Sequence, residues 1–472
     1  MRFVFKPILA FVCFALSSSA LAINSGPLLV NIDNPNFRRL VMALPQFVVS
    51  GSADRDIRNL SESGPKELGR LLTYSGLFNV MAPSAYSELA KSLAQSKSGA
   101  VLGTQTKAGM ENIDLPQWKG LGVESLTTAT ISKGADGIEL EIKTIDINRG
   151  EMLIGKKYSK IKKSEFELVL RRYADLVLGA YTGKPGIFSS KIVFVGRRHR
   201  NQQKQIFICD FDGGNLIQLT KDNTMHLSPS WSPDGRYVTY TSYRDGNPDL
   251  YKHEVATGKV RKLSGARGLN SGSEWTPDGK LVLMTGSVAG NTDIYYVPAN
   301  GGRRKILIRG AGLDVDPEVS GDKKYLAFVS GRYGNPHIFR ATLNWDSDLK
   351  PRVIADKRLT YAGWYNASPA WSPNSEKIAF AGYDKDIDRF DLFLMNNDGS
   401  ALERLTLRVG DNENPSWSPN GQMIVFQSNR IKTQNRKGNS HLWVMNRDGS
   451  SQRQISAGLF DAQQPDWSGQ ID

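Results

Sequence analysis

One motif returns along the second half of this chain at intervals of about 44 to 52 residues. It reads SPSWSPDGRYVTY from Ser228, SEWTPDGKLVLM from Ser273, PEVSGDKKYLAF from Pro317, SPAWSPNSEKIAF from Ser368, NPSWSPNGQMIVF from Asn414 and a stump, QPDWSG, from Gln464. A period of that length is the signature of stacked four-stranded units, each unable to cover its own apolar faces alone. Its reference positions are Trp231, Trp275, Val319, Trp371, Trp417 and Trp467. A second run repeats with it: QIFICDF, DLYKHEV, DIYYVPA, HIFRATL, DLFLMNN and HLWVMNR. After five of these comes a turn pair, Asp212-Gly213, Thr257-Gly258, Asn300-Gly301, Asp398-Gly399 or Asp448-Gly449, suited to a tight hairpin. The unit at His337 carries a longer insertion, Asn344 to Pro351, instead.

The outer runs first occur at Lys191, before any Trp run, and the last Trp run has no outer runs after it. One unit is therefore expected to be split between the two ends of the array, so that strand pairing closes a ring and leaves no open edge. The fold class that follows is mainly β: a six-bladed β-propeller with a split closing blade, preceded by a smaller α/β domain. Within PSWSP, alternation places Pro229, Trp231 and Pro233 on one face and Ser230 and Ser232 on the other, with the indole filling the gap to a neighbouring blade. Pro233-Asp234-Gly235 then turns the chain.

Residues 23–186 lack the period. RRLVMALPQFVV reads as strands, and IRNLSESGPKELGRLLTYSG as one or two helices interrupted at Gly64-Pro65. GIELEIKTIDI and EMLIGKKYSKI form a hairpin about Asn148-Arg149-Gly150, and SEFELVLRRYADLVLGAYTG is a closing helix with Ser164 as N-cap and Gly183 near its end. The expected domains are residues 1–22, 23–186 and 187–472, with Gly183-Lys184-Pro185-Gly186 as linker.

The first 22 residues have Arg2 and Lys6, an apolar run from Ile8 to Leu16 and an Ala20-Leu21-Ala22 site, the pattern of a cleavable export signal. Its removal would lower the net charge of +13 to +11 and leave Cys209 as the single cysteine, so no internal disulfide is expected. No later segment is apolar enough to insert in a membrane.

Chemistry-bearing motifs are sparse. The five histidines, His199, His226, His253, His337 and His441, show no metal-ligand spacing, and no Ser sits in GxSxG. The hydrolase domain that accompanies this repeat in some serine peptidases is not expected. Asp384, Asp386, Asp388 and Asp391 have the acidic spacing of a calcium loop, but Arg389 stands where such a loop needs Gly, and an inter-strand loop is the plainer reading. The basic runs Gly196–Arg200 and Arg430–Lys437 hold no aromatic stacking partner, so they read as hairpin tips rather than a nucleic-acid surface. No cofactor is expected.

What remains is the mouth of the central channel. The segments entering the inner strands carry His226, Asn270, Asp314, Asp316, Asn366, Asn412, Glu413, Gln463 and Gln464. Such a ring could grip a protein segment or simply hydrate a pore.

The export signal, the small α/β domain and six units of the type PxWSPDG…xIYxxxxDG…xxxLT ending on a lone Trp strand together resemble the TolB family of the Tol-Pal system, as does VNIDNPNFRRLVMALPQF near the start. Departures are Val319 for the third Trp, a Gly-Asp-Lys turn in that unit, and Leu269 where the family can carry His. The resemblance implies a non-enzymatic, monomeric scaffold of the Gram-negative periplasm that helps couple outer membrane, peptidoglycan and inner membrane during constriction. It implies that the lipoprotein Pal binds the channel mouth, at residues that include Asn270, Val315 and Asp316, with other outer-membrane or peptidoglycan-associated proteins as further partners. It also implies that TolA binds an arm made of Ile23, Asn24, Ser25, Gly26, Pro27, Leu28, Leu29, Val30, Asn31, Ile32, Asp33 and Asn34. The competing class is an exported propeller hydrolase or carbohydrate binder with a site at the same mouth, for which Asp314, Asp316, Glu413 and His226 are the available acid, base or imidazole groups.

Overall fold

In the computed structural model the described residues are 38–51, 54–95, 113–288, 290–346, 350–386, 388–407, 409–430 and 438–471. The expected export signal, the arm from Ile23 to Asn34 and residues 431–437 of the second basic run lie outside them. The first part is a sheet with helices. β1 (Leu40–Ala43), β2 (Val48–Ser50), α1 (Arg55–Tyr74), β3 (Phe78–Val80), α2 (Ser87–Gln95) and α3 (Leu115–Gly120) precede the long strands β4 (Ser125–Gly134), β5 (Gly137–Asp146) and β6 (Glu151–Ile161). α4 (Phe166–Thr182) ends this part. The sheet runs β3-β1-β4-β5-β6, with β2 also pairing β4. β1 is parallel to both neighbours, whereas β4, β5 and β6 are antiparallel, turning at Arg149-Gly150 where Asp146 Oδ1 accepts from the Arg149 N–H.

Two expectations are corrected here. α1 passes through Gly64-Pro65 as one helix. Proline cannot supply the amide that the Ser61 carbonyl would otherwise accept, but the Phe47 N–H donates to that carbonyl at 3.1 Å. Gly64 lets the same Phe47 ring lie against the helix, since a Cβ there would sit 2.4 Å from it. Ser164 is no N-cap: it lies in a 3₁₀ turn, Lys163–Glu165, and α4 starts one residue after it. Gly183 does cap the C-terminus, in the left-handed conformation at φ 66°.

From Ser190 onward the strands form six four-stranded antiparallel blades. Five are continuous in sequence, with inner strands His226–Trp231, Asn270–Trp275, Asp314–Val319, Tyr365–Trp371 and Asn412–Trp417 for blades 1 to 5. In blade 6 the inner strand is Asp461–Gln470, paired with Ser190–Arg197, which pairs in turn with Gln205–Asp210. The ring therefore closes between the end of the repeat array and its beginning, with Trp467 opposite Ile192. The Trp467 Nε1–H donates to Ser190 Oγ at 2.8 Å across that seam. All five inner-strand indoles in blades 1, 2, 4, 5 and 6 are buried, and Val319 fills the same position in blade 3.

The two parts share one apolar cluster, which joins Leu68 and Leu71 of α1, Tyr173 and Val177 of α4, and Phe188, Phe211, Ile455 and Trp467 of the propeller side. Polar contacts at this junction are also buried. Arg171 on α4 reaches Asp210 Oδ2 at 2.5 Å, and Lys191 pairs with the other oxygen at 2.7 Å. Asp175 accepts from the Phe188 N–H (2.7 Å), the Ser189 N–H (2.9 Å) and Ser189 Oγ (2.5 Å). The chain passes so close that a Cβ on Gly186 would fall 2.0 Å from Asp175 Oδ1.

Candidate functional site

The inner strands of all six blades share a backbone irregularity. Each has one extra residue against its partner strand, between Leu227 and Ser230, Ser271 and Glu274, Val315 and Glu318, Ala367 and Ala370, Glu413 and Ser416, and Gln463 and Asp466. At every bulge one residue adopts the left-handed conformation: Ser228, Gly272, Asp316, Ser368, Asn414 and Gln464, with φ between 49° and 61°. These six residues and those next to them line a narrow channel of about 190 Å³ on the propeller axis.

The bulge determines where the expected mouth residues go. An extra residue reverses the alternation upstream of it, so the residue two before each left-handed position turns away from the axis and into the blade. His226, Asn270, Asp314, Asn366 and Asn412 are all buried there. Asn270 Nδ2 donates to the Ala266 and Gly268 carbonyls at 2.6 and 3.0 Å, while its Oδ1 accepts from Ser264 Oγ and Arg304 Nη1. Asn366 bonds the Ala362 carbonyl and His337 Nδ1, and Asn412 bonds Asp391, the Gly410 carbonyl and Arg430. Asp314 pairs with Arg332 at 3.2 Å, and His226 Nε2 lies 2.7 Å from Asp222 Oδ1. Burial pushes the Asp314 carboxyl up and the His226 imidazole down. These five side chains hold the entering loops to the strands.

Val315, Asp316 and Glu413 are half-buried; Asp316 lines the channel, whereas Val315 packs beside the apolar cluster of Trp371 and Phe380 and Glu413 is not part of the channel lining. Asp316 Oδ2 accepts from the Ser368 N–H at 3.4 Å, joining blade 3 to blade 4, and Asn414 Nδ2 donates to Ser368 Oγ at 3.1 Å, joining blade 5 to blade 4. The Ser228 N–H donates to Gln464 Oε1 at 2.9 Å, joining blade 1 to blade 6. Glu413 accepts from Gln427 Nε2 at 3.0 Å.

Below this ring lies a tier the sequence reading did not assign: Ser230, Glu274, Glu318, Ala370, Ser416 and Asp466. Each immediately precedes the Trp or Val of its repeat, so aligning the repeats one column to the left would have exposed it. Ser230 Oγ donates to Glu274 Oε2 at 3.2 Å, and the Trp371 N–H donates to Glu318 Oε1 at 2.9 Å. Asp466 accepts from the Trp231 N–H at 2.7 Å and from Ser416 Oγ at 3.1 Å. Burial, with mutual repulsion added, holds Glu274 and Glu318 well above the usual carboxylate range, and burial pushes Asp466 up to about 6. The tier therefore places three carboxyls, each holding its proton more tightly than in solution, in the wall of the channel.

Among the described residues, no histidine lines this channel and no group of three or more His, Cys, Asp and Glu is placed to hold a metal ion. The acidic run of blade 4 does not converge: Asp384 and Asp391 engage Arg404, and Asp388 accepts from the Tyr383 hydroxyl. Arg430 of the second basic run stacks over Trp443 at 4.4 Å.

A family model described as the TolB β-propeller domain matches residues 179–471. The chain belongs to the TolB family. Among curated relatives, the Tol-Pal system protein TolB of Desulfosudis oleivorans is 32% identical over 222 residues, 47% of this chain and 47% of that protein. The Tol-Pal system protein TolB of Syntrophus aciditrophicus is 31% identical over 260 residues, 54% of each. The chain thus spans about half the length of the curated relatives it matches. A solved structure, TolB from Acinetobacter baumannii, superposes with a TM-score of 0.71 at 24% identity, covering 92% of this chain and 97% of that one, a likeness of fold.

Proposed function

We propose that this chain is a periplasmic protein-binding scaffold of a Tol-Pal system, with no catalytic activity of its own. In this reading the channel mouth receives a segment of the lipoprotein Pal, with Asp316 as the residue in the channel wall that meets it and Val315 and Glu413 as further expected contacts. The arm from Ile23 to Asn34 engages TolA, and the two together couple outer membrane and peptidoglycan to the inner membrane during constriction. The observation that carries the reading is the sixfold ring of left-handed residues on the axis. It offers short polar side chains and backbone groups around a funnel, which suits the grip of an extended polypeptide. The channel wall has serines and carboxylates and, among the described residues, no imidazole, and Ser230, Ser368 and Ser416 are engaged by carboxylates or amides of neighbouring blades. That supports binding over hydrolysis.

The test is retention of Pal from detergent-solubilised envelope by the immobilised protein. The intact chain is expected to retain Pal, Asp316→Arg to reduce retention at least about tenfold, and deletion of residues 23–34 to abolish capture of TolA while leaving Pal. Failure of the intact chain to retain Pal would overturn the reading.

A further inference from the structure

β6 (Glu151–Ile161) ends the sheet. It pairs with β5 on one side and, among the described residues, with no strand on the other. Register shifts bracket it, near Met152 and again before Ile161, where Lys160 has φ 58°. Between them residues 154–158 keep regular pairing, from Thr144 opposite Ile154 to Leu140 opposite Tyr158. That stretch turns alternate amide and carbonyl groups outward at the spacing another strand needs.

Two further features lie along this edge. An open cleft of about 800 Å³ runs between β6, α4 and the linker, walled by Leu153, Tyr158, Leu176, Ala180 and Ile471 among others. Its surroundings expose apolar side chains: Met152 is 42%, Leu168 39% and Leu176 40% accessible. The edge is also basic. Lys160, Lys162 and Lys163 pair with Asp136, Glu165 and Asp56, while Lys156 and Lys157 are exposed and have no acid partner among the described residues.

Lysines on an edge strand ordinarily discourage strand pairing. Here they discriminate. Two copies of this chain joined edge to edge would bring Lys156 and Lys157 against their counterparts, and like charges directly opposite are destabilising. An acidic strand is favoured by the same charges.

We propose that β6 is a docking edge for an extended segment of a partner protein with alternating apolar and acidic residues. Its backbone adds a strand beside residues 154–158, its apolar row enters the cleft along α4, and its acidic row meets Lys157 on the far face while Lys156 adds positive charge at the cleft's lip. This does not rest on the channel-mouth reading.

The probe is a capped ten-residue peptide of alternating valine and glutamate, with a valine–lysine counterpart, titrated into the whole protein by fluorescence anisotropy. The glutamate peptide is expected to bind saturably and at least about tenfold more tightly than the lysine peptide, with slowed amide exchange confined to β6 and α4. The double variant Lys156→Glu/Lys157→Glu, on exposed positions, is expected to reverse the preference. Absence of saturable binding, equal binding of both peptides, or binding that leaves β6 exchange unchanged would each overturn the proposal.

Discussion

The channel wall and the domain junction both bury polar groups between elements distant in sequence, but they do so by opposite means. At the channel, six blades repeat one backbone device, and five residue types at the six positions, Ser228, Gly272, Asp316, Ser368, Asn414 and Gln464, tolerate it. The sites are stitched by single hydrogen bonds to neighbouring blades, such as the Ser228 N–H to Gln464 and the Ser368 N–H to Asp316. At the junction nothing repeats: Arg171, Asp175, Asp210 and Gly186 are each used once, in contacts that leave no slack. Where the backbone carries the design, side chains are free to vary and hence to specialise for a partner. Where side chains carry it, each is indispensable.

The largest effect that would break this contrast lies at the junction. Asp210 is buried and accepts from Arg171, Lys191 and Asn215, so Asp210→Ala leaves the buried Arg171 guanidinium with only its pair to the half-exposed Glu167. A loss of about 3–5 kcal/mol is expected in urea denaturation. Because one apolar cluster spans both parts, the α/β and propeller signals should shift together. By contrast Arg70→Ala, which removes the exposed pair with Asp212, is expected to cost less than about 1 kcal/mol. Equal costs would show that the junction is as tolerant as the channel.

The channel predicts a gain. With Asp466 held at about 6, above the usual carboxylate value, the folded chain binds protons more tightly than the unfolded one. The contribution of Asp466 to stability therefore falls as pH rises from about 4 through 6 and is lost above that, while the buried His226, His253 and His337 and the half-buried His441, held below their usual value, contribute in the opposite sense. Glu274→Gln removes one charge from the cluster and keeps an acceptor for Ser230. It is expected to stabilise the protein more at pH 7.5 than at pH 4.5, read as the difference in urea midpoint between variant and parent. A flat difference across that range would remove the channel's electrostatic tension.

Within the repeat itself, blade 1 should stand apart from the other blades, since the indoles of Trp275, Trp371 and Trp417 donate to Thr239, Glu318 and Ala370. The Trp467 indole N–H has Ser190 Oγ as partner, whereas that of Trp231 has none among the described residues. Trp467→Phe is accordingly expected to cost about 1 kcal/mol more than Trp231→Phe in thermal denaturation, both sharing the same loss of ring volume. Equal losses would make blade 1 energetically ordinary.

The same contrast explains what could be read from residues alone. Blade number, the split blade and the burial of Trp231 and its equivalents were legible because each recurs, and a periodic signal averages over local exceptions such as Val319. The channel tier was not, because a bulge is a backbone event with little side-chain signature. Strict alternation from Trp231 leads to the wrong face for His226, and only the residue choice of Gly272, Asp316 and Asn414 hints at a left-handed step. At the junction, Asp175 and Arg171 look like ordinary polar positions of an amphipathic helix, since their partners at residues 188–189 and 210 are set by tertiary packing.

Helix ends in the aperiodic part offer the smallest and sharpest test of that legibility, because a capping motif can be present in sequence and unused in the fold. Ser164 precedes an acidic turn and reads as an N-cap, yet the chain enters α4 through a 3₁₀ turn and no side chain caps the first amides. Asp54, two residues into an unremarkable Ala-Asp-Arg-Asp run, does cap: its Oδ1 accepts from the Ile57 N–H at 3.0 Å at the start of α1. Replacing an N-cap by alanine removes a partner from an otherwise orphaned amide and typically costs about 1 kcal/mol, whereas an exposed serine away from any cap changes stability by less than about 0.5 kcal/mol. Asp54→Ala should therefore lower the urea midpoint measurably and Ser164→Ala should not. If the two exchange places, α4 begins in solution where the sequence pattern puts it, and the aperiodic part is more legible than the junction suggests.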